Sequence, residues 1–199
     1  MTAAESKTSE PELLRRLRAV VGPAPAHNPE EPVPGGAAAV LVLADPTDPG
    51  LPVLFMRRTR LVPSHRGQIS FPGGGVEPDD RGPVETALRE AHEEMAVDPD
   101  AVEVLGVLDS VLTATAARRL TPVVAIERTP LHPVPDPFEV AEWFRVALAD
   151  LLDAPLTSRP IPGMPGRALV HFYEVDGRVI WGATAAIIHD LLGRLRRAE

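Results

Sequence analysis

One stretch constrains this chain more than any other: FPGGGVEPDDRGPVETALREAHEEMAV, Phe71 to Val97. Its second half has the period of an amphipathic helix. Val84, Ala87, Leu88, Ala91 and Met95 recur at spacings that share one face. Such a face has to be covered by another layer, so the chain needs a sheet or further helices to pack against it. Glu90, Glu93 and Glu94 stand at offsets of three and four and also share a face. On the helical wheel they lie beside the apolar stripe rather than opposite it. A solvated acidic face is the ordinary reading of helical glutamates, but these carboxylates border the packed surface. Like charges at this spacing repel by about a few tenths of a kcal/mol in a bare helix. A divalent cation turns that repulsion into a binding site, and Mg²⁺ favours carboxylate and phosphate oxygens together. The preceding run Gly73-Gly74-Gly75 lets backbone approach a ligand closely because no side chain intervenes. Arg89, next to Glu90, can orient a glutamate through charge-assisted hydrogen bonds.

The remaining segments supply the covering layers. PELLRRLRAVVG has helical spacing at Leu13, Leu14, Leu17 and Val20, and the proline-rich PAPAHNPEEPVPGG after it reads as a linker. This predicts an N-terminal helix and linker over residues 1–35 and one compact domain over 36–199. AAAVLVLA and LPVLFMRR read as strands separated by the turn-like DPTDPG. GQISFPGGG reads as a short strand entering the glycine turn. Further strands are expected over Val102 to Leu108, in LTPVVAIE, and from Trp143 to Val146 before a short helical turn. ALVHFYEVDGRVIWG has the pattern of a hairpin around Asp176-Gly177. ATAAIIHDLLGRLRRAE is a closing amphipathic helix with arginines in its last turns, while HPVPDP and RPIPGMPGR read as loops. Strands interspersed with a few helices predict a mixed sheet covered on both faces, in the α/β or α+β class.

The bulk numbers narrow the partners. With 20 basic against 28 acidic residues the net charge is −8, which argues against a general nucleic-acid binder. There is no cysteine, so neither disulfides nor thiolate chemistry are available. No stretch approaches the roughly 20 apolar residues of a membrane span, and the polar N-terminus lacks an apolar signal core. A cytoplasmic location and a small-molecule substrate are expected, and a homodimer is left open. Within this acidic chain, Arg57, Arg58, Arg60, His65 and Arg66 lie within ten residues as a local basic patch. A charged strand edge that discourages edge pairing explains such a patch as well as an anion site does. His65 by itself reads as a loop residue, Phe71 as a core plug, and Trp181 as core.

The segment GG…D…REAHEEMAV resembles the Nudix box: a glycine, a spaced acid, then Arg-Glu, an apolar residue, and a pair of glutamates. Arg89, Glu90, Glu93 and Glu94 match the core of the box one for one. The resemblance implies a Nudix-type α/β/α sandwich with a mixed sheet. It also implies hydrolysis of a nucleoside diphosphate linked to another group, with Mg²⁺ or Mn²⁺ held by Glu90, Glu93 and Glu94. Glu93, Glu90 and Arg89 are then the catalytic group, Glu93 being the chosen base. Counting from Gly74 puts the spaced acid on Asp80 with one added loop residue; counting from Gly75 puts it on Arg81. The first count is preferred because one loop residue costs little. The late glycine of the box is Ala96 here, so the turn after Met95 is expected to be built differently. Upstream, LFMRRTRLVPSHRGQISFPGG resembles the signature of the coenzyme A pyrophosphatase branch. Arg58, Gly67, Phe71, Pro72, Gly73 and Gly74 match; Met56 and Pro63 stand where threonine and arginine are usual. RLTPVVA and VIWGATAAII are also similar to that branch. This implies cleavage of coenzyme A or an acyl-CoA to 3′,5′-ADP and 4′-phosphopantetheine. Arg57, Arg58, Arg66, Phe71, Gly73 and Gly74 are the implied substrate contacts. The alternatives are a Nudix hydrolase for another substrate, such as ADP-ribose, and a regulator that binds nucleotide without cleaving it.

Overall fold

The computed structural model describes residues 10–24, 35–61, 66–113, 118–160 and 169–198. Helix α1 (Glu12–Val20) precedes strands β1 (Ala37–Ala44), β2 (Pro52–Arg58), β3 (Ile69–Ser70) and β4 (Gly73–Gly75). Helix α2 (Pro83–Met95) and a 3-10 turn (Pro99–Ala101) follow, then β5 (Val102–Val107), β6 (Val111–Leu112), β7 (Arg119–Glu127) and β8 (Val140–Ala147). The chain closes with α3 (Leu148–Asp153), β9 (Leu156–Pro160), β10 (Leu169–Val175), β11 (Arg178–Trp181) and α4 (Gly182–Arg197).

Eight strands form one mixed sheet of order β3-β2-β1-β7-β5, with β4 pairing β1, β6 pairing β7 and β8 pairing β2. The central β1 runs parallel to β7 along its whole length and antiparallel to β2 and β4. Its unbroken apolar run AAAVLVLA fits a strand buried on both faces. Alternation sends Val40, Val42 and Ala44 into one core and Ala39, Leu41 and Leu43 into the other. Helix α2 covers the second face through Ala87, Ala91 and Met95, three members of the stripe read from the sequence. The first face is covered by α1, α3, α4 and a three-stranded antiparallel sheet of order β11-β10-β9. This is the α/β/α sandwich expected.

The N-terminal helix belongs to the same core as the rest. Leu14 and Leu17 are buried with Leu191, Leu192 and Leu195 of α4, and each such side chain contributes about 1.5–3 kcal/mol. Beyond α1, Gly22 exchanges two backbone hydrogen bonds of 2.9 Å with Val107. Gly106 makes this approach feasible: its φ is +157°, and a Cβ there would stand 2.2 Å from the Gly22 carbonyl oxygen.

Several elements differ from the sequence-based expectation. Strand β8 starts at Val140 rather than Trp143, because pairing with β2 continues as far as Arg58. The two-residue β6 was not expected. The RPIPGMPGR loop gives Arg159 and Pro160 to β9, an exposed edge strand where a proline removes no ladder bond from a neighbour; residues 161–168 lie outside the described residues.

Candidate active site

The glycine turn and α2 meet where β1, β2 and β4 come together. Helix α2 starts with Pro83, whose fixed φ suits a first helical position. Its carboxylates emerge at three depths. Glu94 is 2% exposed, Glu90 largely buried, and Glu93 56% exposed. The side-chain oxygens of Glu94 are both engaged: Gly73 donates its backbone N–H at 2.8 Å and Arg58 its Nη1 at 2.8 Å. Burial nevertheless raises the Glu94 carboxyl to about 7, and the nearby Glu90 charge adds to the rise against the opposing pull of Gly73 and Arg58. Burial also raises Glu90, with Glu93 and Glu139 contributing in the same direction.

The glycines act on these carboxylates directly. A Cβ on Gly74 would fall 2.4 Å from a Glu90 carboxylate oxygen. A Cβ on Gly73, whose φ is +151°, would lie 2.3 Å from the Ala39 carbonyl oxygen. Gly73 thus allows β4 to lie on β1, and Gly74 makes room for Glu90.

Arg89 ties the group together. It donates to Asp80 at 3.0 and 3.1 Å, to the Gly75 carbonyl at 2.9 Å, to Glu90 at 3.2 Å and to Glu93 at 3.1 Å. Asp80 is held well below the usual carboxylate range, at about 2, chiefly by its hydrogen bonds from Arg89. In turn Asp80 raises the Arg89 guanidinium. Asp80 also accepts from Thr86 Oγ1 and from the Glu77 N–H, both at 2.9 Å. The spaced acid is therefore Asp80. Arg81 pairs with Glu85 at the surface.

The substrate-side residues read from the sequence divide. Arg58 reaches the carboxylates, pairing with Glu94 and, at 3.1 Å, with Glu139. Arg57 lies on the other face of β2, where it donates to Glu142 at 2.8 Å. Arg66 is exposed one residue before the turn in which Gly67 donates back to the Arg58 carbonyl. Phe71 requires correction: its ring is 2% exposed and stacks on Phe55 with centroids 4.8 Å apart, so it fills the core and is closed to a substrate. The expected change in the turn after Met95 is also corrected. Ala96 itself takes the left-handed conformation (φ 51°, ψ 33°) and closes the helix with its N–H on His92 O. Pro63 and His65 lie outside the described residues.

Sequence reasoning missed Glu139. It lies 45 positions beyond Glu94 with no motif around it, and only the pairing of β2 with β8 brings it to Arg58. The donor set suits a hard divalent cation. Asp80, Glu90, Glu93, Glu94 and Glu139 share the guanidinium groups of Arg58 and Arg89, which leaves anionic charge in excess. One buried atom of the cluster, Arg58 Nε, has no hydrogen-bond partner among the described residues. Among the described residues no acidic or histidine side chains already converge in metal-binding geometry; the oxygens of Glu90, Glu93 and Glu94 are turned to Arg58, Arg89 and Gly73.

Residues 34–165 match the NUDIX domain, so the chain belongs to the Nudix family. It is 40% identical over 162 residues to a protein of Pectobacterium atrosepticum, "Uncharacterized Nudix hydrolase NudL", covering 77% of this chain and 80% of that one. It is 32% identical over 168 residues to "Nudix hydrolase 15, mitochondrial" of Arabidopsis thaliana, covering 81% of this chain and 59% of the plant protein. The solved structure of RenU, a Nudix hydrolase from M. smegmatis, aligns with TM-score 0.47 and 27% identity over 59% of this chain and 74% of that one. Nudix hydrolases generally use divalent metal ions. No helix among the described residues is long and apolar enough to cross a membrane.

Proposed function

We propose that this Nudix hydrolase cleaves the pyrophosphate bond of coenzyme A or an acyl-CoA, releasing 3′,5′-ADP and 4′-phosphopantetheine. The observation that carries the reading is the junction of two motifs. Arg58, Gly73 and Gly74 of the upstream segment, which resembles the coenzyme A branch, make contact with or room for Glu94 and Glu90 of the box.

Glu90, Glu93 and Glu94 would hold Mg²⁺ or Mn²⁺, which supplies positive charge against the pyrophosphate oxygens. The chain's own residues do the rest. Arg89, locked by Asp80 and the Gly75 carbonyl, holds Glu90 and Glu93 in register. Gly73 and Arg58 hold the deep Glu94 from opposite sides. Glu93, the most exposed of the three, accepts a proton from the attacking water. Oxygen then bonds to one phosphorus as the bond from that phosphorus to the bridging oxygen breaks. Arg66 is proposed to meet the substrate's other phosphates, whereas Arg57, paired with Glu142 on the other face of β2, is left out of the site. The chain acts in the cytoplasm on a small molecule; residues 36–199 carry the catalytic residues, and α1 packs into the same core.

The test is incubation with coenzyme A and Mg²⁺, followed by mass spectrometry of the products. Release of 3′,5′-ADP with 4′-phosphopantetheine is expected, and chelation with EDTA should stop it. A higher kcat/KM for ADP-ribose than for coenzyme A would overturn the substrate assignment.

A further inference from the structure

The aromatic rings of this protein are mostly placed where they stack. Phe55, Phe71 and Phe144 form one group, and Phe172 faces Trp181. Three rings lie outside these stacks: Tyr173 is buried, Trp143 is 37% exposed, and Phe138 is the most exposed of the three. It is 73% exposed, and Leu61 nearby in the fold is 74% exposed. Burying a phenylalanine ring is favourable by about 1.5–3 kcal/mol, so a ring left in water on a well-held backbone stands out from scattered surface residues.

The backbone of Phe138 is fastened on every side. Its N–H donates to Asp136 Oδ1 at 2.9 Å, and its carbonyl accepts from Thr59 Oγ1 at 2.6 Å. Thr59 also donates its N–H to Glu139 O at 2.8 Å, and the Leu61 N–H reaches back to Thr59 Oγ1 at 3.3 Å. Asp136 donates its N–H to the Glu94 carbonyl at 2.9 Å, and Val134 does the same to Met95. The turn carrying the ring is therefore docked on the end of the helix that bears the carboxylates. Adjacent Cα atoms are about 3.8 Å apart, so Phe138 starts one residue from Glu139, which is paired through Arg58 with Glu94.

We propose that Phe138 is a specificity-determining residue that stacks on the heteroaromatic base of the substrate's nucleotide, with Leu61 extending the apolar surface. The inference rests on the nucleoside-diphosphate reading of the site: a base hangs at a fixed reach from the phosphates, and the charged cluster alone offers nothing to hold it. An anchored ring binds a planar base at little entropic cost.

The test compares wild type with Phe138→Ala, Phe138→Leu and Phe138→Trp. The competing ligands are AMP, ribose 5-phosphate and 4′-phosphopantetheine, with dissociation constants from calorimetry in Mg²⁺. Base–aromatic stacking by alanine substitution predicts AMP binding weakened about 5- to 150-fold, with ribose 5-phosphate and 4′-phosphopantetheine unchanged. Phe138→Trp should restore AMP binding and Phe138→Leu should not. For an adenine-containing diphosphate, KM should rise in Phe138→Ala more than kcat falls. Unchanged AMP affinity in Phe138→Ala overturns the inference, as does a loss that falls on 4′-phosphopantetheine instead. Wild-type turnover separates the two readings. Turnover of adenine-containing diphosphates with indifference to Phe138 removes only the stacking role, whereas no turnover of any such diphosphate removes the proposed function itself.

Discussion

Replacing Glu94 by glutamine should make the metal-free protein more stable and the enzyme far less active. The folded protein holds the Glu94 proton up to about pH 7, whereas the ordinary value is 4.5. A carboxyl with a raised folded-state pKa favours the fold in its protonated form, and that advantage is lost as pH rises through the folded value. The gap between 4.5 and about 7 corresponds to about 3 kcal/mol. Above pH 7 the wild type carries this whole cost: a carboxylate 2% exposed, compensated in part by Arg58 and Gly73. Glutamine keeps an oxygen for the Gly73 N–H and carries no charge. At pH 8 without metal the variant should therefore melt higher, by up to about 6–12 °C for a chain of this size. At pH 4 the two should melt alike. Mg²⁺ should raise the melting temperature of the wild type and not that of the variant, because only a ligand bound by the folded state stabilises it. Turnover should fall by orders of magnitude, the scale expected when several kcal/mol of charge stabilisation are impaired. Thermal melts across pH, with and without Mg²⁺, and a product assay on the same samples provide the check. A variant that melts below wild type at pH 8 without metal would refute the burial argument. Near-normal turnover in a folded variant would refute the metal role.

Two glycines next to each other should fail differently when given a methyl group. Gly74→Ala meets only the movable end of Glu90, so the fold should survive while kcat/KM drops about 100-fold, as for a catalytic group displaced by about 1 Å; Gly73→Ala meets the backbone of β1 and should lower the melting temperature itself. Wild-type activity in Gly74→Ala would show that Glu90 has no need of its present position. Ala96→Gly should stabilise the protein by about 0.5–1 kcal/mol, because it relieves a left-handed alanine that costs about 1–2 kcal/mol while loosening the unfolded chain. Chemical denaturation measures this, and a loss of stability would show that the cap is unstrained.

Much of the candidate site was legible because its parts are local. The carboxylates of α2 lie within two helical turns, so a period of 3.6 residues is enough to group them and to place Ala87, Ala91 and Met95 beneath them. The glycine turn was legible for the same reason, although its role was not. Gly74 clears space for a glutamate that follows it by 16 positions, a contact visible only once β4 lies on β1. Phe71 shows the opposite case: a motif match suggested a substrate contact, while its neighbours in space made it part of the core.

By itself, then, the sequence determined most of the elements, though not β6 or β9, together with the apolar stripe, the carboxylate group of α2 and the family resemblance, all of which depend on periodicity and short-range spacing. Only the tertiary structure decided that Arg58 faces Glu94 while its neighbour Arg57 faces Glu142. It alone brought Glu139 and the exposed Phe138 to the site, and packed Leu14 and Leu17 against α4. The reason is that strand pairing joins residues far apart in sequence: the register of β2 against β8 is set by the burial of whole strands, and no local pattern around Glu139 records which arginine it will meet.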